Sequence, residues 1–221
     1  MRFATAGTAL LTALALPLHA QSYTDPSTKV AFPTTLSVDG STRQLTGTGV
    51  RTRTMLKVKV YAFGLYVDAA AAKSALGAWA GKNAAALQAD ATFYAKLLEM
   101  GFPMTMRLVM TRNVDGATMA EAFDGALRPR VVAAAGRGKP GGEAALDQFR
   151  GYFGAEVSEG TELLFSCTPD GTFSASIGGQ AKPAIQSAAL CWALFDVYLG
   201  AEPISPEGKK TVVANVPAIL S

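Results

Sequence analysis

Histidine is almost missing from this 221-residue chain: its single copy, His19, falls within the first twenty residues. Those twenty read as a secretory signal peptide. Met1-Arg2 supply a positive start, Ala9 to Leu16 a short apolar run, and Ala20 a small residue before polar Gln21-Ser22. The run is too short to span a bilayer comfortably, which disfavours a membrane anchor. Cleavage after Ala20 would leave no histidine at all. Histidine acid–base catalysis, a Ser-His-Asp triad and most zinc sites are thereby excluded. Charge is scarce too, at 17% of residues, below the usual quarter or so. Losing Arg2 and no acid takes the formal charge from +3 to +2. No nucleic-acid partner is expected from that balance, since no basic cluster is interleaved with aromatics. No other segment is long and apolar enough to cross a membrane. The expectation is an exported protein, by a periplasmic, secretory or plastid route, with residues 21–221 as one domain built on a 49% hydrophobic composition.

Other chemistries are missing as well. No Gly-Lys-Ser/Thr phosphate loop occurs, and Gly47-Thr48-Gly49 lacks the third glycine of a dinucleotide fingerprint. That triplet reads better as a close backbone approach or a bulge within a strand. No metal-ligand spacing is present, and no cofactor is implied. Asp115 and Glu121 read as helix caps rather than a catalytic carboxylate pair. Two cysteines remain, Cys167 in a strand-like run and Cys191 in an apolar helix pattern. An oxidising compartment invites a disulfide. A chain of this length has no need of one, so the reading favours two buried thiols.

What is present alternates irregularly between strand and helix patterns. Runs at 28–38 and 43–50 look extended about Asp39-Gly40. The strongest strand pattern is Leu56 to Val67, whose odd positions pass from Lys57 and Lys59 to Tyr61, Phe63 and Leu65. Such a face suits a strand running from solvent into a cavity. Helical patterns follow near 69–80 and 91–100, the second capped by Asp90. Residues 104–111 return to strand. Thr118 to Glu121 reads as a capping box opening a helix that aligns Met119, Phe123 and Leu127. A Gly-rich break at 136–142 precedes a helix near 143–153. A hairpin pattern follows, 162–169 and 172–177, about Asp170-Gly171, a dipeptide suited to a type I′ turn. A last helix is expected from Pro183 to Leu199, stopped by Gly200. The order predicts an α+β fold, an antiparallel sheet with helices over one face.

One combination points to binding chemistry. Arg51 and Arg53 precede the aromatic strand carrying Tyr61. A guanidinium fork matches a carboxylate, a tyrosine hydroxyl adds a donor, and an apolar cavity behind them would take an acyl tail at about 0.8 kcal/mol per methylene. From spacing alone, solvated arginines and an amphipathic core tyrosine are the commoner outcome. Unbroken strand would also set Arg51 and Tyr61 about 33 Å apart. Their convergence requires a chain reversal near Thr52–Thr54.

Several blocks in order resemble the chalcone isomerase-like family. They are Gly47-Thr48-Gly49-Val50-Arg51, Val60 to Asp68, Met104 to Leu108, Ala122-Phe123-Asp124 with Arg130, and Ile185 to Gly200 with Pro203. Together they cover about residues 43–210. The resemblance implies an open-faced β-sandwich and is nearer to fatty-acid-binding members than to the flavonoid enzyme. Arg51 matches the enzyme's arginine, but Tyr61 stands where the enzyme has threonine and its fatty-acid-binding relatives have tyrosine. The enzyme's helix tyrosine and asparagine fall on Met119 and Ala126, and Arg107 falls near its active-site lysine. By resemblance, the expected ligand is a free fatty acid or similar amphiphilic carboxylate, held without catalysis. Arg51 would be the charge partner and Tyr61 the donor. Phe63, Arg107, Met119 and Phe123 are further candidate contacts, with Leu127 as additional wall. A chalcone isomerase-type lyase is the alternative, and an exported interaction protein with a side-chain-filled cavity is a third reading.

Overall fold

The longest hairpin of the chain positions everything that follows. In the computed structural model, which describes residues 21–53 and 56–221, strand β4 (Ser41–Arg53) pairs antiparallel with β5 (Val58–Val67). The signal-peptide expectation for residues 1–20 lies outside the described residues. Ahead of β4, β3 (Thr35–Val38) closes a two-residue turn at Asp39-Gly40. Both have positive φ, 50° and 72°, as the mirror-image hairpin turn requires. Strands β6 (Met104–Met110), β7 (Glu162–Cys167), β8 (Thr172–Ile177) and β10 (Ile185–Gln186) extend the sheet on the far side of β5. The order is β3-β4-β5-β6-β7-β8-β10, with β9 (Gln180–Ala181) returning on β8, and every pairing is antiparallel. A small hairpin, β1 (Ser22–Thr24) with β2 (Ala31–Pro33), stands apart from that sheet.

Strand alternation divides the residues between two faces. Phe63, Leu65, Met104, Met106, Leu108, Phe165 and Phe173 belong to the main core, beneath the helices. On the reverse face Ala62 and Tyr66 pack with Phe32 and Leu45 in a separate small cluster. Glycine at 64 leaves room there, since a Cβ would come within 2.8 Å of the Phe32 ring. The helical layer comprises α1 (Ala69–Ala75), α2 (Ala84–Ala89), α3 (Ala91–Leu97), α4 (Gly116–Ala135), α5 (Glu143–Arg150), α6 (Ala188–Leu199), α7 (Pro206–Thr211) and α8 (Val216–Leu220). The expected α+β arrangement, an antiparallel sheet with helices over one face, is the observed one.

Three local expectations change. Helix α4 starts at Asp115, whose carboxylate accepts the Thr118 amide, so the cap lies three residues before the expected Thr118 box. Helix α6 starts at Ser187 instead of Pro183, because Ile185–Gln186 are drawn into pairing with β8. At Asp170-Gly171 only Gly171 has positive φ, 84°, and its amide bonds the Thr168 carbonyl at 3.0 Å. Pro169 occupies the second position of that turn, giving a three-residue loop with a left-handed glycine instead of a type I′ pair.

The cysteines are not free thiols. Cys167 ends β7 facing the helices, and Cys191 lies in the first turn of α6; their Cα atoms are 5.7 Å apart and the side chains form a disulfide. Both are 1% exposed, so burial, which the sequence suggested, and bonding coexist. Gly49 meets its expected role of close backbone approach. A Cβ there would lie 2.7 Å from the Gly208 Cα of α7 and 2.5 Å from the Phe63 ring. The bulge expected nearby is also present, with Thr46 the surplus residue where the register shifts between Leu45 and Gly47.

Candidate functional site

A second bulge builds the site. Arg51 pairs with Tyr61 and Thr52 with Lys59, leaving Val60 as the surplus residue of β5. The surplus inverts the alternation below Tyr61. Lys59, expected on the Tyr61 face, turns to the opposite side, where its Nζ donates to the Ser27 carbonyl. Val58 and Val60 take its place beside Tyr61. Arg51 and Tyr61 meet as direct cross-strand neighbours, so the reversal needed to join them is the β4–β5 hairpin itself. It lies beyond Thr52 and Arg53, which are still strand; Thr54 lies outside the described residues.

These side chains open onto a cavity of about 540 Å³, within the range of small-molecule sites. Its second wall is one face of α4. Thr118, Met119, Ala122, Phe123 and Ala126 recur at spacings of three and four. Phe123 joins this wall to the aromatic core, with its ring 5.3 Å from Phe149 and 5.2 Å from Phe153. Val197 of α6 and Ile204 close the inner side, and Arg53, Arg112, Asn113 and Asp115 also line it.

The electrostatics are one-sided. Arg51 is held by a 2.6 Å bond from its Nη1 to the Ile204 carbonyl. Among the described residues no carboxylate lies within 4.0 Å of the Arg51, Arg53 or Arg112 guanidinium. Asp115 lines the cavity but is engaged as the α4 cap. Tyr61 and Tyr198, both buried, share a hydrogen bond of 3.0 Å between their hydroxyls. Burial pushes the Tyr61 phenol up to about 12, against smaller opposing effects of that bond and of Arg51. Burial likewise raises Tyr198 well above the ordinary tyrosine value. Both are therefore neutral donors at physiological pH and neither is a base. Arginines around one neutral phenol beside an apolar wall can hold a carboxylate and its hydrocarbon; no nucleophile–base pair accompanies them among the described residues.

Of the six site candidates, the structure brings four to this cavity: Arg51, Tyr61, Met119 and Phe123. Phe63 is not among the lining residues. It lies behind them, fully buried, with its ring 4.8 Å from that of Tyr198. Arg107 is on the other face of the sheet. Its neighbours Met106 and Leu108 occupy the main-core face, so alternation sends it to Glu162, to the Ala31 carbonyl at 3.0 Å and over the Phe32 ring at 5.1 Å. Leu127 is buried in the core and does not line the cavity, where Ala122 and Ala126 continue the wall instead. Arg112 and Tyr198 were not legible beforehand. Arg112 follows a strand end with no periodicity to orient it, and Tyr198 sits in a helix whose hydrophobic residues run all round.

The family model described as chalcone isomerase like matches residues 41–213. An Arabidopsis thaliana protein named fatty-acid-binding protein 2 is 31% identical over 207 residues, covering 89% of this chain and 51% of its own length. The chain thus spans about half of that relative. A chalcone–flavanone isomerase of Hordeum vulgare is 32% identical over 206 residues, covering 86% of this chain and 87% of its own. The crystal structure of an Arabidopsis thaliana fatty-acid binding protein superposes with a TM-score of 0.77 at 24% identity, over 90% of this chain and 99% of the other. That superposition establishes a common fold. Identities of 31% and 32% do not separate binder from isomerase, so the choice falls to the cavity.

Proposed function

Because this chain belongs to the chalcone isomerase-like family, we propose that its cavity holds a free fatty acid, or a similar amphiphilic carboxylate, without transforming it. The observation that carries this reading is the 540 Å³ cavity itself, apolar along α4 and β5 and supplied with arginines that no carboxylate of the described chain neutralises. The carboxylate would lie against Arg51, whose bond to the Ile204 carbonyl orients its fork, and accept from the Tyr61 hydroxyl. The acyl chain would run along Met119, Ala122, Phe123 and Ala126. Eight methylenes buried there supply about 6 kcal/mol at about 0.8 each. The similarity to the fatty-acid-binding protein agrees with this assignment. So does the disulfide with export to an oxidising compartment.

The rival is intramolecular cyclisation of a chalcone, favoured by Arg51 and by the likeness to the barley isomerase. Against it stand Met119 and Ala126, which face the cavity where the enzyme's tyrosine and asparagine are expected. A thioether and a methyl group cannot stabilise a developing enolate. Titration of laurate and palmitate into wild-type protein, Arg51→Ala and Tyr61→Phe tests the proposal. Clear loss of affinity in both variants is expected; unchanged binding in both would sink the assignment. Naringenin chalcone cyclised faster than its spontaneous rate would favour the rival.

A further inference from the structure

A second cleft, of about 480 Å³, opens between α3 and α6 and is bordered by the segment after α4 and by α7. Its charges do not cancel. Glu99 is paired with Lys96 at 2.6 Å and Asp196 with Arg130 at 2.9 Å, and neither of those cations lines the cleft. The three cations that do line it, Arg137, Lys139 and Lys209, have no carboxylate within 4.0 Å among the described residues. The cleft's acids are thus neutralised from outside, and none of its bases has a carboxylate in ion-pair contact.

Two of these cations are held on aromatic faces. The Arg137 guanidinium lies 4.8 Å from the Trp192 ring centroid and the Lys209 ammonium 4.2 Å from that of Tyr94. Lys209 also donates to the Gly200 carbonyl at 2.7 Å, which fixes its position. Partial burial lowers its affinity for the proton, with Asp196 opposing. It is a half-buried charge with favourable dipoles, and its acidic neighbour Asp196 stands beyond 4.0 Å, already paired with Arg130. Ala95 and Leu98 supply apolar surface beside it.

We infer that this cleft is a second ligand site, for a small organic anion whose acid group meets Arg137, Lys139 and Lys209 and whose apolar or aromatic body lies against Ala95 and Leu98. The inference is independent of what fills the first cavity, since the two sets of lining residues share no member.

The chain has two tryptophans, Trp79 and Trp192, so Trp79→Phe makes Trp192 the only reporter. Phenyl phosphate is titrated into that protein while its emission is followed, with inorganic phosphate and benzyl alcohol as separate probes. A saturable change with phenyl phosphate is expected, weaker with inorganic phosphate and absent with benzyl alcohol. Arg137→Gln with Lys139→Gln should shift the midpoint by about tenfold, the worth of two partly exposed ion pairs. Arg137→Lys with Lys139→Arg should restore most of it, and Arg51→Ala should leave the midpoint unchanged. No saturation below about 10 mM, an unshifted midpoint in the glutamine variant, or loss of the response in Arg51→Ala would overturn the site. Equal affinity for inorganic phosphate would overturn the role given to the apolar body.

Discussion

Tyr198 touches no part of the cavity surface, yet the proposed binding mode requires its proton. Two arrangements of the 3.0 Å bond are open. If Tyr61 donates to Tyr198, the Tyr198 proton, at 1% exposure, has no acceptor among the described residues. If Tyr198 donates, its proton is satisfied and the Tyr61 proton is free to point at a carboxylate. A bound anion selects the second arrangement. Tyr198→Phe removes one oxygen and keeps the ring against Phe63. Because the bond also exists without ligand, only its strengthening on binding counts toward affinity. The loss is up to about 12-fold, the most that one such hydrogen bond of about 0.5–1.5 kcal/mol could give. The same substitution in a Tyr61→Phe protein should change nothing further, because Tyr198 acts only through Tyr61. Calorimetric titration of laurate into wild type, both single variants and the double variant closes the cycle. Additive losses, or an undiminished affinity in Tyr198→Phe, would refute the relay. Stability supplies an internal control: the double variant should unfold no more easily than Tyr198→Phe, since removing both partners leaves no orphaned hydroxyl.

Changing both Cys167 and Cys191 to Ala opens a loop of 24 residues in sequence. The chain-entropy estimate for such a loop is about 3.5 kcal/mol, which for a protein of this size lowers Tm by about 7–14 °C; equal melting of wild type with and without reductant would contradict it. Gly49→Ala should cost about 1–3 kcal/mol in denaturant titrations, because its methyl would meet the Gly208 backbone and the Phe63 ring. The raised tyrosines set an alkaline limit. Tyr61 and Tyr94 stay protonated to about 12 when folded but ionise near 10 when unfolded. Their contribution is complete below pH 10 and is lost as pH rises to about 12, because the unfolded state then binds fewer protons. Urea midpoints should accordingly fall between those values and not between pH 6 and 9.

Residues that repeat were legible in the sequence, and residues that depend on one irregular step were not. Most elements follow from alternation and capping: the Asp90 cap of α3, the 104–110 strand, the Met119 and Phe123 face. Chemistry alone leaves Arg51 and Tyr61 an open pair, the family resemblance selects them, and antiparallel pairing makes them neighbours. Lys59 was misplaced because a bulge carries no signature in hydrophobic pattern; Val60 looks like any other strand valine. Arg107 was misplaced for the opposite reason. Its likeness to an active-site lysine points inward, while its own alternation with Met106 and Leu108 points it outward. The disulfide has no signal in the sequence because a separation of 24 positions says nothing of proximity until β7 and α6 are packed together.

The surplus Val60 also bears on how relatives of this protein should be compared. One inserted residue decides whether a lysine or a pair of valines faces the cavity, so the lining can be gained or lost by insertion or deletion with no substitution at all. Two homologues with identical residues in every aligned column could present opposite surfaces to a ligand if one lacked that residue. For this site a gap near position 60 is a functional difference, and a column-by-column score that passes over gaps would miss it.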